Sequence, residues 1–142
     1  MSTQIPASWP NIEAWFIGFV TPAKIVAADA TLTGVVVRNL KPTTAAPYKQ
    51  VIIAADYGQN VTAITRYVRV RMQAWVVKDN NTSDLGAAFR LADVAAFIAQ
   101  QAPRNAAPIV SVGVDAGPSR VEDTLSGIEY QAVTLLLEVA KL

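Results

Sequence analysis

The stretch RVRMQAWVV, residues 69–77, decides how this chain is read. Side chains of a strand point alternately to its two faces. Extended back to residue 62, the even positions Ile64, Val68, Val70, Met72, Ala74 and Val76 make an apolar face, interrupted only by Arg66. The odd positions Tyr67, Arg69, Arg71, Gln73 and Trp75 make the opposite face. A period of two held this long predicts a long strand over 62–77 with one side in a core. What the other side does is the question the sequence poses.

Upstream, QVIIAADYG (50–58) is apolar on both faces in its middle and predicts a second strand inside the sheet, with a turn at GQN (58–60). GVVVRNL (34–40) is short and β-branched, a further strand, joined by the loop KPTTAAPYK (41–49). Nearer the N-terminus, Ile12, Trp15, Phe16 and Phe19 recur at helical spacing. That helix is expected to start near 8–10, with Ser8 as the candidate cap and Pro10 in the first turn. Thr21-Pro22 repeats the cap-then-proline signal and predicts a second short helix through 24–29. Residues 1–9 read as a flexible arm and 10–142 as one globular domain, the length prior for a 142-residue chain.

Downstream, KDNNTSD (78–84) is a polar turn leading into a helix over 83–101, with Thr82 or Ser83 as cap and Asp84 complementing the dipole. Leu85, Ala88, Phe89, Leu91, Ala92, Ala95, Ala96, Ile98 and Ala99 form its wide apolar face, rich enough in alanine to lie close on a sheet. Arg90, Asp93, Gln100 and Gln101 point away, and Phe97 points with them. IVSVGVD (109–115) alternates, with Val110, Val112 and Val114 opposite Ile109, Ser111, Gly113 and Asp115. AGPSR (116–120) reads as a turn, RVEDT (120–124) as a short strand, and IEYQAVTLLLEVAKL (128–142) as the last strand after LSG. The order is helix, three strands, helix, three strands. It predicts an α+β fold whose mainly antiparallel sheet of about six strands carries an N-terminal helical segment and a central Ala-rich helix.

Composition narrows the function. Hydrophobic residues make up 52% and charged residues 16%, against about 25% charged in an average domain. So few charges imply that a partner covers part of the surface, or that surface alanines account for the excess. A net charge of +1 supplies no strong field for nucleic acid or anionic membrane. Histidine and cysteine are both absent, which removes the commonest general base, the usual thiolate and the usual zinc ligands. The seven glycines form no phosphate-binding loop. Glu122 and Asp123 are adjacent on a strand and point to opposite faces, so they do not form a carboxylate pair. No enzyme activity, cofactor or metal is expected. MSTQIPASWP lacks the basic and apolar regions of a signal peptide, and the run 14–20 falls short of the roughly 20 residues of a membrane span; an intracellular, non-membrane protein is expected.

Tyr67, Arg69, Arg71 and Trp75 are the candidate functional residues, with Phe97 on the helix. Aromatic residues beside arginine suit a protein interface, an ordinary outer sheet face, or a single-stranded nucleic-acid surface. Phe97 is either a tolerated exposed residue, a plug under a loop, or a knob for a neighbouring subunit. Trp15 reads as core; Trp9 is core or anchors the arm on a neighbour.

One resemblance joins these parts. A leading helix precedes VVVRNLKPTTAAPYKQVIIAADYG (35–58), then VRVRMQAWVV (68–77), DLGAAFRLADVAAFIAQQ (84–101) and VSVGVDAGPSRVEDTLSGIEYQAVTLLLEV (110–139). The strand of form VxVxxW before an Ala-rich helix, the turn at Gly117-Pro118 and the closing strand from Tyr130 to Val139 resemble the tail terminator proteins of long-tailed phages. The N-terminal region, with its Thr21-Pro22 break and extra tryptophans, departs from that pattern. The resemblance implies a homo-oligomeric ring, commonly a hexamer, in the virion at the head–tail junction, assembled in the host cytoplasm. Such a ring caps the tail tube protein, ends tube polymerisation and meets a head-completion or connector protein, while DNA passes without specific binding. Two alternatives are another neck or head-completion protein and a small single-stranded nucleic-acid-binding module.

Overall fold

The computed structural model describes residues 9–42, 45–62, 64–102 and 108–140. The described residues form an α+β fold with three helices and one five-stranded, mostly antiparallel sheet. The elements are α1 (Ile12–Phe19), α2 (Pro22–Ala28), a short 3-10 turn (Ala30–Leu32), β1 (Val36–Arg38), β2 (Tyr48–Asn60), β3 (Thr65–Val77), α3 (Leu85–Ala99), β4 (Ile109–Glu122) and β5 (Glu129–Ala140). In the sheet they lie in the order β1-β2-β3-β5-β4. β1 runs parallel to β2, and every other pair is antiparallel.

The helix ends follow local chemistry. Asn11, not Ser8, caps α1, its side chain accepting from the Ala14 amide; Ser8 lies outside the described residues. Thr21 caps α2 and Pro22 opens it, so the chain forms two helical segments at that break. Asp84, not Thr82 or Ser83, caps α3 by accepting from the Ala87 amide at 3.1 Å. The preceding residues are held elsewhere: Ser83 bridges to Val77, and its hydroxyl accepts from the Glu129 amide.

All three helices cover one face of the sheet. The core joins Ile12, Phe16, Ile25, Leu91 and Ala95 to Val51 and Ile53 of β2, Val68, Val70, Met72, Ala74 and Val76 of β3, and Val133, Leu135, Leu137 and Val139 of β5. The even-numbered face of β3 is buried as its alternation predicts, whereas Ile64 lies before the strand and is exposed. On α3 the buried face is rotated from the expected one. Val94 is buried and Phe89 exposed, because α2 packs along α3 and takes in the Val94 side.

Two strand boundaries differ from expectation for one physical reason: bulges keep a strand going through residues that read as turns. Gly58, Gln59 and Asn60 belong to β2, with a register shift between Tyr57 and Asn60; β2 ends before Val61 and Thr62, where Thr62 Oγ1 accepts from the Ile64 and Thr65 amides. The expected separate strands over 109–115 and 120–124 are one strand, β4, which passes through Gly117-Pro118 with shifts around Val114, Ala116 and Ser119. Among the described residues five strands therefore replace the expected six. A further shift between Ile109 and Ser111 puts buried Ile109 on the same side as Val112 and leaves Val110 exposed.

Candidate functional site

The face of the sheet turned away from the helices carries the candidate residues, and it divides into a covered end and an open end. Registers place Gln50 beside Trp75, Asp56 beside Arg69, Tyr67 beside Glu138, and Arg71 beside Thr134.

Trp75 lies at the covered end. Only 2% of its surface is accessible, which corrects the expectation that it projects from the outer face. Its ring stacks on Tyr130 with centroids 4.6 Å apart, and its indole N–H donates to Gln73 Oε1 at 3.1 Å. The cover is the chain after β1. Lys41 follows the strand at one edge of the sheet and Asp123 follows the strand at the other, yet they form an ion pair at 2.9 Å. Residues 39–42 therefore cross this end of the sheet, and the Leu40 carbonyl accepts from buried Gln50 Nε2 at 2.7 Å. Burial raises the Tyr48 hydroxyl above its usual range, and the Asp123 carboxylate adds to the rise. Asp123 itself is lowered, first by the Ser126 hydroxyl and then by Lys41. Trp75 with Gln50, Ile52, Gln73 and Tyr130 is a small second core.

Tyr67, Arg69 and Arg71 occupy the open end and are exposed. Both arginines already have partners. Arg71 Nε lies 3.0 Å from Asp56 Oδ2 on β2, and Arg69 Nε lies 3.5 Å from Asp115 Oδ2 on β4, reaching across β5. Each cation is matched by a carboxylate, so the face presents alternating charge and not a basic patch. Beside Tyr67 a shallow hollow of about 330 Å³ is floored by Leu136 and opened by the missing side chain of Gly113. Sequence reasoning missed Asp56 and Asp115 as partners, because pairing across strands is invisible until register is known.

Phe97 stands on the far surface, 61% exposed, beside a cleft of about 370 Å³ shared with Phe19, Lys24 and Ile98. It is on the opposite side of the molecule from Tyr67, so the five candidate residues do not form one site. They separate into an open sheet face, a helix-side knob, and Trp75 inside the subunit. Trp15 packs partly buried against the core, stacked on Phe19 at 5.0 Å. Trp9 is also partly buried there, with the Arg66 guanidinium 5.1 Å above its ring and 5.2 Å from the Tyr57 ring.

Among the described residues no group of three or more acidic side chains is placed to hold a metal ion, and no helix is long and apolar enough to cross a membrane. Asp29 is lowered to about 2, chiefly by the Thr31 hydroxyl and then by Arg90, whose Nε lies 2.8 Å away. That pair ties α2 to α3 on the surface. No protein-family model matches the chain, and no curated protein matches it.

Proposed function

We propose that the chain is a structural virion protein of a long-tailed phage, a tail terminator that acts as a ring of identical subunits on the end of the tail tube. The reading rests on the sequence resemblance over residues 10–140, and one structural observation carries it further. The helices cover a single face of the sheet, and the opposite face presents Tyr67, Arg69 and Arg71 with their charges matched by Asp56 and Asp115. Aromatic and arginine side chains whose charge is already balanced suit contact with protein, where tyrosine and arginine are enriched and unpaired charge is costly. They suit a polyphosphate poorly, since each phosphate contact would compete with a carboxylate already in place.

The mechanism is steric and thermodynamic. A ring seated on the last tube subunits buries the surface on which the next ring would add, and growth stops. The same ring offers its other side to a head-completion or connector protein. Contacts that close a ring are heterologous, one patch meeting a different patch on the next copy; the open sheet face and the Phe97 knob lie on opposite sides of the subunit and supply two different patches. DNA passing through meets no strongly basic field, since the net charge is +1.

The test is addition of the purified chain to tail tubes growing without a terminator. Tubes that stop at a uniform length support the reading; tubes that grow on without limit in its presence overturn it. Retention of single-stranded DNA that falls steeply with salt would favour the nucleic-acid reading instead.

A further inference from the structure

The two edges of the sheet are finished differently. On the β2 side the outermost strand, β1, is only three residues long, and short edge strands are one way proteins avoid unwanted pairing. Beyond its end the rim of β2 is occupied by α1. The Ala55 amide donates to Glu13 Oε2 at 3.3 Å, the Tyr57 hydroxyl accepts from the Ile12 amide at 3.2 Å, and that hydroxyl donates to the Pro10 carbonyl. The opposite edge is β4, 14 residues long, and among the described residues no element pairs with its outer side.

β4 is itself divided. One bulge lies at Val110, and from Asp115 onward the strand carries further bulges, Pro118 and the charges of Asp115, Arg120 and Glu122, all devices that discourage another strand. Between these bulges residues 111–114, SVGV, pair regularly with β5 and carry neither charge nor proline, and Val114 and the preceding Val110 are 45% and 40% exposed. An uncharged β-branched run on a bare edge is a template for a further strand.

We infer that this edge pairs with the same edge of a second copy, antiparallel about a twofold axis at Val112. The sequence is self-complementary in that register. Val112 meets its own equivalent, Val110 meets Val114 of the other copy, and Ser111 meets Gly113. Faces match as well: Ser111 and Gly113 pair with Glu138 and Leu136, on the side turned from the helices, while Val112 pairs with Leu137 on the helix side. The side turned from the helices thus carries only small residues at the junction, and a Cβ at Gly113 would meet nothing within 4 Å, so no bulk blocks approach. A register one residue away would set helix-side residues opposite outer-side ones, which a twofold pairing across a sheet does not allow. The contact is isologous, closing in pairs. It is therefore additional to the heterologous contacts of a ring and does not depend on the tail-terminator reading.

Sedimentation of the full chain across a wide concentration range tests it. The parent is expected to show a monomer–dimer equilibrium. Val110→Lys and Val114→Glu, both at exposed positions, each weaken dimerisation by about tenfold. The double variant Val110→Lys/Val114→Glu recovers it, because each new lysine faces a new glutamate of the other copy. In the parent, amides of 111–113 gain protection from hydrogen exchange as concentration rises, a readout that needs no variant. A parent that stays monomeric, or an oligomer indifferent to both single changes, or a double variant as weak as the singles, overturns the pairing. Tube capping reports on the functional reading separately: register-specific dimers that fail to cap tubes leave the pairing standing and remove the cap.

Discussion

Replacing Trp75 with alanine separates the two roles the sequence allowed for it. The structure places the indole inside the subunit, stacked on Tyr130 and bonded to Gln73, under the segment that crosses from β1 toward Asp123. Truncating a buried tryptophan costs about 3–5 kcal/mol, including the cavity it leaves. Loss of the stacked ring pair falls within that range, since such pairs contribute about 0.5–1.5 kcal/mol beyond area. Against a total stability of about 5–15 kcal/mol this is a large share, and it corresponds to a fall in melting temperature of roughly 10–15 °C. Arg71→Ala is the comparison. Its ion pair with Asp56 is exposed on both sides, with side-chain accessibilities of 58% and 60%, so its loss costs less than about 1 kcal/mol. Urea unfolding of both variants, followed by far-ultraviolet circular dichroism, measures the difference. A Trp75→Ala protein within about 1 kcal/mol of the parent would refute the second core.

Further tests probe the sheet, the helix start and the surface charge pairs. Gly117→Ala is expected to destabilise by at least about 2 kcal/mol, because φ is +89° and an added Cβ would lie 2.3 Å from the Ala132 carbonyl oxygen; Gly113→Ala, with open space at that point, should stay within about 0.5 kcal/mol in the same unfolding assay. Asp84→Ala removes the cap of α3 and should cost about 1 kcal/mol, with a matching drop in urea midpoint. Asp29 is an acid whose folded value is depressed to about 2 from 3.8. Its contribution is therefore complete above its unfolded value and is lost as pH falls toward 2. The stability gap between the parent and Asp29→Asn should be constant near neutrality and shrink below about pH 4, as read from thermal melts across that range.

Legibility in the sequence followed the range of the interactions. The buried face of β3, the two-part N-terminal helix and the outward Phe97 were readable, since each depends on local period or on a cap next to a proline. β4 was not, because bulges preserve pairing through Gly117-Pro118 and shift parity around Val110 and Val114, and a bulge leaves no period of its own. Trp75 was misread for a longer-range reason. Alternation correctly assigned it to the face away from the helices, but that end of the face is covered by a segment more than thirty residues upstream, held by Lys41–Asp123 and Gln50–Leu40. The charge balance at Arg69 and Arg71 likewise depended on registers with β2 and β4. The parallel placement of β1 and the closing of the β2 rim by Glu13 had no local signal.

The proposed role requires contact between this protein and the growing end of a tube. Tail tubes assembled without a terminator, incubated with the chain bearing a gold-binding tag and viewed by negative-stain electron microscopy, test that contact directly. Label at one end of each tube and bare sides is the expected result; tubes with no label, or with label scattered along their length, would contradict the proposed role.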